Sequence, residues 1–140
     1  MGAAAELQRL EVGQVVAERD IALTRDSLVR YAGASGDFNP IHYRDDVAAS
    51  VGLPGVLAHG MLTMGVAVQP VVDWAGPACI VDYQVRFTRP VVVDPELAAM
   101  LHVVAKVGQV GDGTARIDLT VTIGEQTVLG KAQVVVKTDG

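Results

Sequence analysis

Hydrophobic and polar residues alternate through the second half of the chain. From Cys79 the apolar positions are Val81, Tyr83, Val85 and Phe87, with Asp82, Gln84, Arg86 and Thr88 between them. From Leu97 the same period runs through Ala99, Leu101, Val103, Ala105 and Val107, and from Ala115 through Ile117, Leu119, Val121 and Ile123. A last run, TVLGKAQVVVK, alternates less cleanly. The pattern predicts four long strands, each with one apolar face. GDG at 111–113 and GEQ at 124–126 supply turn chemistry, so at least the last three are expected as antiparallel neighbours.

The first half reads as helices and loops. TRDSLVRYAG has Thr24 as N-cap, Asp26 in its first turn and Gly33 as its stop. YRDDVAASVGL is a second, short helix ending near Gly52. HGMLTMGVAVQPVV is apolar on nearly every side, and such a helix must be covered all round. Pro70 should end or kink it near Gln69. One curved antiparallel sheet wrapped round this central apolar helix meets both demands. That is the hot-dog architecture, an α+β fold. A flat sheet with helices on one face would leave the helix half exposed. No repeat, low-complexity tract or linker divides residues 1–140, which read as a single hot-dog domain. Such a layer has an open edge strand, so edge-to-edge pairing into a homodimer is expected.

Composition narrows the functional classes. Half of the 140 residues are hydrophobic and 19% are charged, which excludes a disordered chain. The net charge of −5 and the scattering of the eleven basic residues argue against a nucleic-acid partner. The single Cys79 allows no internal disulfide and fits a reducing cytoplasm. Glu6, Arg9 and Glu11 stand where a signal peptide needs its apolar stretch, and MGAAAE fails the myristoylation pattern at Glu6. No apolar run reaches the roughly eighteen residues of a membrane helix. A soluble, cytoplasmic protein without membrane insertion is expected.

GDFNPIH, residues 36–42, sets Asp37 and His42 five positions apart in a stretch unsuited to regular structure. Asp37 reads either as an Asx-turn residue beside a half-buried His42 or as one half of an acid/base pair. AHGMLTMG reads either as a loop end before a buried helix or as an oxyanion site. In the second reading the N–H groups near Gly60 lie at the positive end of the helix dipole and would stabilise a developing enolate. His102 shares a face with Lys106 and reads as surface. The three histidines lack a metal-binding spacing, so no metal is expected. GASGD is not a nucleophile elbow, and there is no glycine-rich phosphate loop.

The stretch YAGASGDFNPIHYRDDVAASVGLPGVLAHGMLTMG resembles the hydratase signature of the MaoC-like, (3R)-specific enoyl-thioester hydratases and dehydratases. DYQVRFTRPVVV is similar to their following long-strand motif. The resemblance spans residues 10 to 138 and is most specific over 31 to 65, where it is nearest the B subunits of the mycobacterial (3R)-hydroxyacyl-ACP dehydratases. It implies a hot-dog fold, Asp37 and His42 as the catalytic pair and Gly60 as the oxyanion donor. Asn39, His59 and Met61, beside them in the motif, are expected at the substrate, with His59 ordering the loop next to the donor.

The activity implied is reversible hydration of trans-2-enoyl thioesters to (3R)-3-hydroxyacyl thioesters, carried on CoA or acyl carrier protein, with no cofactor. The B-subunit likeness leaves open a heterodimer with a second hot-dog chain, and a hot-dog thioesterase is the rival chemistry. The sequence departs from the family in two places. Val68 stands where some members have an assisting serine, and VVVDPEL lacks the usual glycine.

Overall fold

The computed structural model describes residues 6–139. Five strands form one antiparallel sheet in the order β1-β3-β4-β5-β2. They are β1 (Val15–Leu23), β2 (Ile80–Phe87), β3 (Ala99–Gly111), β4 (Thr114–Ile123) and β5 (Gln126–Lys137). Among the described residues, the α-helices between β1 and β2 are α1 (Arg25–Ser35), α2 (Asp45–Ser50) and α3 (Gly60–Ala75). The sheet curves round α3, which touches all five strands. This is the hot-dog arrangement expected from the alternation.

The inward faces of β3, β4 and β5 supply the core. Leu101, Val103 and Ala105, Ile117 and Val121, and Val134 and Val136 are all fully buried. Register shifts between Val107 and Gln109, between Leu119 and Val121, and between Gln84 and Arg86 bend the strands inward. Gly130 lies at the last of these bulges, where an added Cβ would come within 2.8 Å of Thr88 Cγ2. Only glycine lets the end of β2 cross so closely.

Five details differ from the sequence reading. The first half contains a strand, β1, paired to β3 at the sheet edge. Helix α1 runs past Gly33 and stops at Gly36, which takes the left-handed conformation (φ 78°) and bonds back to Ala32 O. Pro70 does not end α3, which continues to Ala75. A mid-helix proline costs about 3 kcal/mol, and burial of Ala67, Pro70, Val71 and Ala75 against the sheet offsets it. Finally, α3 is not covered all round: Met61, Gly65, Gln69 and Asp73 form a narrow exposed stripe at every fourth residue. Val81 and Phe87 of the edge strand β2 are exposed as well, despite their place in the apolar alternation.

The N-cap of α1 is as read: Thr24 and Ser27 form a reciprocal capping box. Arg25 then ties three segments together. Its Nε donates to Val93 O at 2.7 Å, and its terminal nitrogens grip Asp45, holding that carboxyl below the usual range. No helix among the described residues is long and apolar enough to cross a membrane.

Candidate active site

Because Gly36 ends α1 with a sharp turn, Asp37 enters the loop immediately beyond it. Its two carboxylate oxygens divide the work. Oδ1 accepts the Asn39 N–H at 3.2 Å, an Asx turn that fixes the side chain. Oδ2 is left facing His42, 3.9 Å from its Nε2. His42 ends a short 3-10 turn, Pro40–His42, whose N-cap is the Asn39 side chain. Pro40 suits the first position of that turn, having no N–H to satisfy.

The orientation of His42 is set by a backbone group. Its Nδ1 lies 2.7 Å from Leu57 O. A carbonyl only accepts, so Nδ1 carries a proton, and in the neutral ring Nε2 presents its lone pair toward Asp37. The 3.9 Å gap is too long for a direct hydrogen bond. It does suit a bridging water: an oxygen about 2.8 Å from both atoms would subtend roughly 90°, close to its natural geometry.

His42 and Gly60 line a common cavity of about 350 Å³. Leu57, Val91, Val128 and Leu129 make its wall largely apolar, and Thr63 and Arg89 add polar groups. Gly60 is the first residue of α3, so its N–H has no acceptor within the helix. Gly60 is exposed and lines the cavity, so this donor lies beside it at the positive end of the dipole. The Phe87 ring covers Gly60 so closely that an added Cβ would meet its Cε1 at 3.1 Å.

His59 lies behind the pair and is 2% exposed. Its ring stacks on His42 with centroids 3.8 Å apart and planes 22° apart, and Tyr31 meets it edge-on at 4.8 Å. Its Nε2 donates to Asp37 O at 3.2 Å, while its buried Nδ1 has no partner. An unpaired buried acceptor costs about 1–3 kcal/mol.

Asp37, His42 and His59 each bring a potential ligand atom within 4.8 Å of the others. A shared cation would need the two imidazole planes to converge on it. Stacked rings set their in-plane lone pairs side by side instead.

The structure thus brings together Asp37, His42, His59 and Gly60. Asp37 reaches the cavity only through His42 and is itself outside the lining, as are Asn39, His59 and Met61, the residues expected at the substrate. Asn39 spends its side-chain oxygen on the Ile41 N–H, His59 is sealed beneath His42, and Met61 points to solvent at 60% exposure. Val68 packs against the core, and no serine is among the described residues lining the cavity. Sequence reasoning missed the Leu57 carbonyl, Thr63, Phe87 and Arg89. The first is a backbone group and carries no side-chain signal. Thr63 sits one turn after Gly60 on the same helix, while Phe87 and Arg89 approach Gly60 and His42 only because β2 and its following loop fold over α3. His102 is on the outer face as read, between Glu18 and Asp20.

The hot-dog fold thus sets Asp37 Oδ2 facing His42 Nε2 and places His42 and the helix-start Gly60 on one largely apolar cavity. The family described as "MaoC like domain" matches residues 8–128, and the chain belongs to it. It is 30% identical over 137 residues to the (R)-specific enoyl-CoA hydratase of Rhodospirillum rubrum, covering 96% of this chain and 90% of that protein. It is 38% identical over 73 residues to the 3-hydroxyacyl-thioester dehydratase X of Mycobacterium tuberculosis, covering 52% of this chain and 25% of that one. The R-hydratase PhaJ1 of Pseudomonas aeruginosa superposes with a TM-score of 0.81 at 27% identity, over 94% of this chain and 83% of that one. The chain spans a quarter or less of the first curated relatives it matches.

Proposed function

We propose that this domain adds water reversibly to trans-2-enoyl thioesters, giving (3R)-3-hydroxyacyl thioesters carried on CoA or acyl carrier protein. The observation that carries the reading is the pair Asp37 Oδ2 and His42 Nε2, 3.9 Å apart, with His42 sharing an apolar cavity with Gly60. The (R)-specificity is supported by the named activity of the R. rubrum relative, which is similar over nearly its full length.

In hydration, a water held between Asp37 and His42 gives one proton to the pair as its oxygen bonds to C3. The C2–C3 π electrons move toward C1, and the thioester oxygen gains negative charge against the Gly60 N–H. The pair then returns one proton to C2, the carbonyl re-forms, and both residues end as they began. Dehydration is the reverse: the pair takes the proton from C2 and protonates the departing hydroxyl. The thioester itself makes C2 acidic, and the fixed N–H and dipole stabilise charge where it develops. Arg89 in the cavity lining offers a cation to the phosphates of the carrier.

The open sheet edges and the exposed Val81 and Phe87 of β2 support pairing with a second hot-dog chain, identical or different. A single domain working in the cytoplasm is the setting this reading assumes. Thioester hydrolysis through Ser35 or Cys79 is disfavoured by where those side chains lie. Ser35 Oγ accepts the Asp37 N–H at the exposed end of α1. Cys79 lies beyond the far end of α3, a helix of 16 residues and thus about 24 Å long.

The test is to incubate the protein with crotonyl-CoA and a long-chain enoyl thioester, following enone absorbance and free thiol together. Loss of the enone without thiol release is expected. Thiol release matching substrate loss would make the domain a thioesterase.

A further inference from the structure

The three groups invoked above come from three separate segments: Asp37 from the loop after α1, His42 from the 3-10 turn, and Gly60 from the start of α3. We propose that His59 is the positioning residue that holds these segments in register, an inference that rests on the hydration reading. One side chain touches the first two and immediately precedes the third. Its Nε2–H donates to the main-chain carbonyl of Asp37. Its ring lies flat against His42. Its own carbonyl accepts the Thr63 N–H and the Thr63 hydroxyl, anchoring it to the first turn of α3.

His59 does not line the cavity, so its contribution is not a contact with substrate. Nor does packing alone explain an imidazole at this position. A phenyl ring would give the same stack without burying an unpaired Nδ1. What only the imidazole adds is the Nε2–H, directed at the residue that carries the carboxylate. A bridging water across 3.9 Å tolerates little movement of either partner, and misplacement by about 1 Å can cost on the order of 10²-fold in rate.

The experiment has two arms. In the first, enoyl-thioester turnover is measured for His59→Ala, His59→Gln, which keeps a donor, and His59→Phe, which keeps the stacking ring. The expected result for His59→Ala is a fall in kcat of about 10- to 100-fold with KM changed by less than about threefold. Gln and Phe should each restore part of it. If His59→Ala does not fold, His59→Phe, which fills the same space, carries this arm. Wild-type kcat in a folded Ala or Phe variant, or a loss confined to KM, overturns the proposal.

The second arm needs no variant and no turnover. Nitrogen-15 NMR of the wild-type ring nitrogens should show His59 as the Nε2–H tautomer and His42 as the Nδ1–H tautomer. A His59 that is Nδ1–H or doubly protonated overturns the proposal. Should the wild-type protein leave every enoyl thioester unchanged, the hydration reading fails, and this second arm alone decides the role of His59.

Discussion

Gly60 separates the effect of a helix dipole from that of a single donor. It is not among the positive-φ glycines, and His59 before it has φ −61° and ψ 133°, the extended conformation a following proline requires. Proline is therefore accommodated at this first helical position, where the lost N–H had no intrahelical acceptor. Gly60→Pro should keep its melting temperature within a few degrees while losing roughly 10²–10³ in turnover, the usual loss for one oxyanion donor. Both Pro and Ala add a Cβ that meets Phe87 at 3.1 Å, so Gly60→Ala, which keeps the N–H, measures that crowding by itself. A folded Gly60→Pro variant with near-normal turnover would remove this amide from the mechanism. That Asp37 faces His42 and that Gly60 opens the buried helix was legible in the sequence, because the motif concentrates these residues and their turn formers within one stretch. The carbonyl of Leu57 that orients His42 was not, since every residue carries one.

At the scale of elements, alternation revealed the strands that have one wet and one buried face, and it failed for β1. Glu18 and Asp20 point outward and clamp His102 at 2.9 and 2.7 Å, while Arg19, on the opposite face, reaches Asp73 of α3 at 2.9 Å. Charges on both faces of an edge strand erase the period-two signal. Pro70 does not stop α3 for a related reason, because a local cost is outweighed by burial that only the folded sheet provides.

The clamp on His102 has a consequence for stability. Its hydrogen bond to Asp20, reinforced by the charges of Asp20 and Glu18, raises the imidazole above its ordinary 6.5. A raised folded-state value stabilises the fold below the unfolded pKa and loses that effect as pH climbs through the folded one. The melting temperature of the wild-type protein should therefore exceed that of His102→Gln most near pH 5–6, and the two should converge toward about pH 9. Melting curves that stay parallel across that range would show that the clamp adds nothing to the β1–β3 pairing.

Over the whole molecule, the site is assembled by wrapping. Asp37, His42 and Gly60 come from the first half of the chain, and the second half closes the cavity over His42 and Gly60 with Phe87 and Val91 from β2 and the loop after it and Val128 and Leu129 from β5. The fold class was readable because a helix apolar on most sides leaves few sheets able to cover it. The exposed stripe on α3 and the cavity wall were not, as both depend on how far the sheet curls. The central claim is that Asp37 and His42 act on one shared water. The direct measurement is turnover of a single enoyl thioester by Asp37→Asn, His42→Ala and the double variant. Each single change should cost at least about 10²-fold, and the double should be little worse than either, because two residues acting as a unit lose their function together. Losses that multiply in the double variant, or a single variant with near-wild-type turnover, would contradict the shared water.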